Sequence, residues 1–197
     1  VSGMQSPAKI AVRDQLLAAR RSRSLGEVSE AARDLADHLL AAPVVRRAAT
    51  VAAYVSVGNE PGTAPLLDGL RAAGKRVILP VLLPDNDLDW AVYRSDADLV
   101  AASRGLFEPS GDRLGRDAIA TADVVLVPGL AASSAGARLG RGGGSYDRAL
   151  GRVPVGTFTC VLLYDDEVGV DVPVEPHDRA VACAATPSGL VLLDRRL

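Results

Sequence analysis

The chain has little sulfur, few aromatic side chains and no long apolar run, and each shortage removes a class of function. Its two cysteines, Cys160 and Cys183, lie in apolar strand-like runs without the CxxC or Cys/His spacing of a zinc site, so they read as two buried, reduced thiols. Two histidines and two cysteines also leave no recognisable nucleophilic triad. No apolar stretch approaches the roughly 20 residues that cross a bilayer, and the first residues lack the charged-then-apolar layout of a signal peptide. No membrane partner and a cytoplasmic location are therefore expected. A net charge of -2 and a pI of about 5.7 supply no global basic field, so nucleic acid is not an expected partner. No heptad or unmistakable apolar patch marks an oligomer surface, and a monomer is expected.

What is present is apolar and well punctuated. With 197 residues and 48% apolar content the chain can bury one sizeable core, and residues 1–197 read as a single domain. Ser6-Pro7 starts a helix predicted over Pro7 to Arg21. Ser24 and Glu27 form a capping-box pair, after which Val28, Ala31, Leu35 and Leu39 recur at helical spacing until Pro43. Ala48 to Val57 reads as a strand covered on both faces, Thr63 to Ala73 as a helix closed by Gly74, and Arg76 to Leu83 as a second buried strand. Leu88, Trp90 and Val92 alternate with Asp89, Ala91 and Tyr93, which predicts a neighbouring strand with one face on the core. Further strands are predicted at Asp123 to Val127 and Val155 to Tyr164, and a terminal pair at Val181 to Ala185 and Leu190 to Leu193. A helix is predicted near Gly143 to Leu150. Strands alternating with helices imply an α/β fold, three-layer α/β/α, with a largely parallel central sheet.

One segment carries most of the chemical signal. Gly136 to Asp147 leaves a strand and enters a helix, the place where open α/β sheets bind ligands. Gly140, Gly142, Gly143 and Gly144 bare the backbone amides, and Arg138 and Arg141 add fixed positive charge, a composition suited to phosphate. The loop lacks the Lys-Ser/Thr pair of a P-loop and does not match GxGxxG. Asp147, in the first turn of the following helix, offers hard carboxylate oxygens suited to Mg²⁺. Tyr146 can stack on a flat ring or hydrogen-bond to phosphate. On the first helix Lys9, Arg13 and Arg20 fall within about 40° of one another at about 100° per residue, forming a cationic stripe. For Arg20 a solvated face is the preferred reading.

Pro128-Gly129 followed by Arg138-Leu139-Gly140-Arg141-Gly142-Gly143-Gly144-Ser145-Tyr146-Asp147-Arg148 resembles the signature of 5-formyltetrahydrofolate cyclo-ligases. The resemblance is collinear over nearly the whole chain, from Lys9 and Arg13 through Tyr54 to Glu60, Glu108-Pro109 and the loop to His177-Asp178. Where the family usually has Phe-Asp after its Pro-Gly, this chain has Ala132-Ser133, and Ser145 stands for the first Tyr of Tyr-Tyr-Asp. The resemblance implies ATP as co-substrate, Mg²⁺ as cofactor and a folate as the small-molecule substrate. It implies ATP contacts from Lys9, Arg13 and the run Arg138, Leu139, Gly140, Arg141, Gly142, Gly143, Gly144, Ser145 and Tyr146, with Lys9, Arg138 and Arg141 acting in catalysis. It further implies folate contacts from Val55, Glu60 and Tyr146, and a metal held by Asp147 and Asp178. For Val55 a core role is an equal reading from the residues alone. Trp90 and Phe107 are expected to pack a core, and His177 to brace its loop. A sugar-phosphate isomerase or a non-catalytic folate or nucleotide binder are the other two readings of the loop.

Overall fold

A computed structural model describes residues 6–194. Helix α1 spans Pro7–Arg21 and α2 Leu25–Ala41, where Ser24 Oγ accepts from Glu27 N and Glu27 Oε2 accepts from Ser24 N. A short α3 (Pro43–Arg47) follows, because the proline that ends α2 also fits the first position of a new turn. The chain then runs through β1 (Thr50–Ala52), α4 (Ala64–Ala72), β2 (Arg76–Leu82), β3 (Leu88–Tyr93), β4 (Leu99–Ala101), β5 (Phe107–Pro109) and β6 (Val124–Pro128). After these come β7 (Ala131–Ala132), β8 (Arg138–Leu139), α5 (Ser145–Leu150), β9 (Phe158–Leu162), β10 (Cys183–Thr186) and β11 (Gly189–Leu192).

Seven strands form one sheet in the order β11-β10-β9-β6-β1-β2-β3. Neighbours from β10 to β2 run parallel, while β3 and β11 close the edges antiparallel. Period-two alternation sorts the apolar residues between the two faces. Val51, Val77, Leu79, Val124, Leu126 and Cys160 pack against Leu35 and Leu39 of α2 and Leu66 and Leu70 of α4. Ala52, Ile78, Val125, Val127 and Val161 pack against Ile119, Ala149 and Leu150 on the opposite face. A third cluster seats α1: Val12, Leu16 and Leu17 rest on Leu130, Ala131, Ala137 and Leu139 of the β7–β8 hairpin. The expected three-layer architecture with a largely parallel sheet is therefore observed.

Several local readings need correction. Strand β1 is only three residues long, because beyond Ala53 the chain turns away and reciprocal bonds between Ser56 and Thr63 close a loop. β3 is covered on both faces, since Ala91 and Tyr93 are buried as fully as Leu88 and Trp90, and Tyr93 joins the α2–α4 core. Phe107 is half exposed instead of packing a core, because β5 pairs only with β4 in a two-stranded ribbon. β9 begins at Phe158, leaving Val155 fully exposed. Cys160 and Cys183 are free and buried, side by side in register on β9 and β10.

Candidate active site

The sheet places the site. From β1 the chain crosses one face through α4 to β2, whereas from the adjacent strand β6 it crosses the other face through α5 to β9. The order reverses between β1 and β6, and an open parallel sheet gapes at such a point beyond its carboxyl ends. The segments that leave these two strands are Tyr54 to Glu60 and Pro128 to Asp147, which carry most of the sequence-predicted site residues.

Two glycines shape the second segment. Gly136 has φ +85°, and a Cβ there would meet Val181 O at 2.7 Å, so the β7–β8 turn tolerates no side chain. Gly144, at φ +69°, occupies the left-handed region just before Ser145 begins α5. Arg148 Nη1 donates to both Gly143 O and Asn86 O at 3.2 Å, tying the loop to the β2–β3 turn.

Four cations converge here. Arg13 Nε donates to Gly140 O at 2.8 Å, which joins α1 to the glycine loop across 127 residues. Arg138 is buried, with Nη1 on Pro128 O at 3.0 Å and Nη2 on Asp147 Oδ1 at 3.2 Å, and its guanidinium lies 5.8 Å from the Tyr146 ring centre. Arg141 pairs with Glu60 Oε1 at 3.0 Å, but its side chain is 53% exposed, so the pair is weak and Arg141 can leave it for a ligand. Lys9 is buried, and its Nζ sits 2.7 Å from both Glu175 Oε2 and Asp178 Oδ2. Burial opposes the charge on Lys9, yet the two carboxylates outweigh it and hold the ammonium above its usual range. Lys9 in turn pulls Glu175 below the usual carboxylate range.

Glu60 is buried, its Oε2 accepting from Val57 N at 2.9 Å. Val55 is partly buried and packs against the α2–α4 core. Tyr146 rests partly buried on the α5 face, and burial, then the charge of Glu60, pushes its phenol well up. Leu139 buries its side chain under α1, so only its backbone faces the loop. Ser145 opens α5.

Among the described residues, one group of three can hold a metal ion: Glu175, His177 and Asp178, whose ligand atoms all lie within 4.8 Å. Asp178 was expected from the sequence and Glu175 was not, although three ligand-type residues within Glu175-Pro176-His177-Asp178 were there to be read. His177 is exposed, 3.6 Å from Glu175 Oε2. Asp147 stands outside that group but close by, accepting from Arg179 N at 3.3 Å.

Arg20 corrects the reading of a solvated stripe. It is 2% exposed, donates through Nε and Nη2 to Glu167 at 2.7 and 2.8 Å, and through Nη2 to Gly129 O at 2.7 Å. Glu167 Oε2 also accepts from Tyr164 N at 2.9 Å, Tyr164 Oη donates to Asn59 O at 3.1 Å, and Asn59 Nδ2 donates back to Arg20 O at 2.9 Å. This closed circuit fixes the ends of α1, β6 and β9 and the loop that carries Glu60. Helical spacing placed Arg20 on the face of Lys9 and Arg13, and that face packs against the site.

A doubly crossed parallel sheet with a glycine loop at its switch point is an arrangement that α/β enzymes use for ligands, and the cations that line this loop suit an anionic one. Comparison with known proteins makes this specific. The model of the 5-formyltetrahydrofolate cyclo-ligase family matches residues 5–187, and the chain belongs to that family of C–N bond-forming ligases. A 5-formyltetrahydrofolate cyclo-ligase of Mycolicibacterium smegmatis is 46% identical over 150 residues, 73% of this chain and 77% of the relative. One of Escherichia coli is 33% identical over 177 residues, covering 86% and 94% of the two chains. The NMR structure of Aquifex aeolicus 5,10-methenyltetrahydrofolate synthetase superposes with a TM-score of 0.81 at 26% identity, over 96% of this chain and 94% of that one. Membership in a ligase family sets aside the isomerase reading. Among the described residues no helix is long and apolar enough to cross a membrane.

Proposed function

We propose that this enzyme converts 5-formyltetrahydrofolate to 5,10-methenyltetrahydrofolate at the expense of ATP, releasing ADP and phosphate. The observation that carries the reading is the meeting of Arg13, Arg138 and Arg141 at the glycine loop, a cationic cradle suited to a polyphosphate. In this reading the γ-phosphoryl group passes to the N5-formyl oxygen, breaking its bond to ADP and turning a poor leaving group into a good one. N10 then attacks the formyl carbon and gives up its proton as the new C–N bond forms, and the C–O bond to phosphate breaks.

Such a transfer asks the protein for alignment and charge neutralisation, not for a nucleophile. Arg138, clamped between Pro128 O and Asp147, is preset to face the developing charge, and Arg141 can swing from Glu60 to the phosphates. Lys9 and Arg13 extend the cradle from α1, and the backbone of residues 139–146 lines it. Glu60, with lone pairs to spare beyond Val57 N and Arg141, accepts from the pterin ring, while Val55 and Tyr146 flank the folate.

The carboxylates fit Mg²⁺, a hard cation that takes oxygen donors: Asp178 and Glu175 converge on one point already held by the ammonium of Lys9, and Asp147 borders it. Held by these carboxylates, Mg²⁺ would supply charge neutralisation for the polyphosphate. The test is to mix the protein with ATP, Mg²⁺ and 5-formyltetrahydrofolate and follow the absorbance of the methenyl product. Folate-dependent ADP release is the matching readout, and ADP release indifferent to folate would refute the proposal.

A further inference from the structure

The glycine run has unusual backbone freedom, and one side chain restrains it. Gly142 at φ +100° and Gly144 at φ +69° occupy the left-handed region, which glycine enters and leaves with little strain. The peptide units between them can therefore turn over, each turn exchanging a carbonyl for an amide on a given side. Arg148 acts on one of these units. Its Nη1 carries two N–H groups, enough to reach both Gly143 O and Asn86 O, each at 3.2 Å. A trans peptide unit points its carbonyl and its amide in opposite directions, so with Gly143 O held towards Arg148 the Gly144 N–H faces the other way. Arg13 treats Gly140 O alike from α1, at 2.8 Å, which sets the amide of Arg141. Two guanidinium groups thus take up loop carbonyls, whose partial negative charge a phosphate would repel.

The far end of the brace is firm. Asn86 has φ +63° in the turn over residues 83–87, closed by Leu83 N to Asp87 O at 2.9 Å and Asn86 N to Leu83 O at 3.0 Å. Arg104 Nη2 donates to Asn86 Oδ1 at 2.8 Å, and Leu82 N donates to Glu108 Oε1 at 2.9 Å, so the β4–β5 ribbon holds the same turn. Asp87, next in the chain, accepts from Arg152 Nη1 at 2.8 Å just beyond α5. The β2–β3 turn is therefore an anchor shared by the ribbon, the end of α5 and the glycine loop.

We propose that Arg148 is a positioning residue for the nucleotide: by fastening Gly143 O to the β2–β3 turn it locks the Gly143–Gly144 peptide unit with its amide turned towards the polyphosphate. Arg148 acts through the backbone and meets no phosphate. The inference rests on the ATP reading of the loop and adds the residue that presets it. A preset loop binds more tightly because less conformational freedom is lost when the ligand arrives.

Arg148→Met tests it, since the side chain is exposed and the change keeps an unbranched stem of carbon and sulfur. Without ligand, the NMR order parameters of the Gly143 and Gly144 amides are expected to fall while those of the sheet hold. Calorimetry with Mg-ATP, without folate, is expected to show affinity weakened about fivefold, the scale of one hydrogen bond. The KM for ATP rises by the same factor with kcat nearly unchanged. The loss is expected to be equal at low and high salt, because bracing, unlike attraction between an exposed arginine and a phosphate, is little screened. Asn86→Gly, which keeps the turn but deletes the bond from Arg104, is expected to weaken ATP binding by a smaller factor and to add nothing in the Arg148→Met background. Unchanged order parameters, unchanged ATP affinity, a loss that fades in high salt, or a fall in kcat at constant KM would overturn the inference while the ATP reading stands. A parent protein that binds no ATP overturns both.

Discussion

The ammonium of Lys9 stands 2.7 Å from Asp178 Oδ2, joining the first helix to a loop 169 residues later, and it holds Glu175 at the same distance. A cation of the protein's own therefore balances the two carboxylates that a divalent ion would need.

Replacing Lys9 with Met is expected to act in two directions. Turnover falls about a hundredfold, the scale of losing one preset electrostatic donor. Mg²⁺ binding without nucleotide tightens, because Glu175 and Asp178 lose the charge that competes for them. Calorimetry with Mg²⁺ alone reads the second effect, and unchanged or weaker binding would detach Lys9 from the metal site.

Asp147→Ala is expected to abolish Mg²⁺-dependent turnover while the far-ultraviolet circular dichroism stays close to the parent's and the melting temperature falls. The fall reflects Arg138, whose buried side chain loses the carboxylate at 3.2 Å that balances its charge. Full activity in the variant would remove Asp147 from the metal assignment.

Asp87 gives a pH prediction. It is 3% exposed, and hydrogen bonds from Arg152, then a backbone bond from Leu88 N, outweigh burial and hold its carboxyl near pH about 2 against a usual 3.8. A depressed pKa contributes stability that is present above the unfolded value and lost as pH falls through the folded one, here between about 4 and 2. Because its second partner Arg116 is half exposed, the effect is discounted to about 1–2 kcal/mol at neutral pH. Asp87→Asn is expected to lower stability by that amount at pH 7 and by nearly nothing at pH 2, as urea midpoints at the two pH values would show. A difference independent of pH would contradict it.

Glu167→Ala leaves Arg20 charged and buried, and is expected to cost about 3–5 kcal/mol. The double variant Arg20→Met, Glu167→Leu removes both charges and should lose much less. Equal losses in the single and double variants, measured by denaturant unfolding, would show that Glu167 does not balance Arg20.

Much of this molecule was legible along the chain. Ser24 and Glu27 announced the start of α2, Pro7 and Pro43 set helix ends, an apolar run marked β2 and period-two alternation marked β3, because caps, proline and short apolar patterns act over a few residues. The glycine loop declared itself by composition, since glycine and arginine are informative wherever they fall. Burial was harder: Arg20 read as solvated because nothing nearby in sequence shows that Glu167, 147 residues on, is its partner. Glu175 escaped notice because its importance lies in Lys9, 166 residues away. Strand order, which puts β6 beside β1, decided that the loop after Tyr54 and the loop after Pro128 share one crevice. Sequence by itself determined the elements and the chemistry available to them. Which charges meet was decided by tertiary structure, because such contacts depend on how distant segments pack and not on local conformational preference.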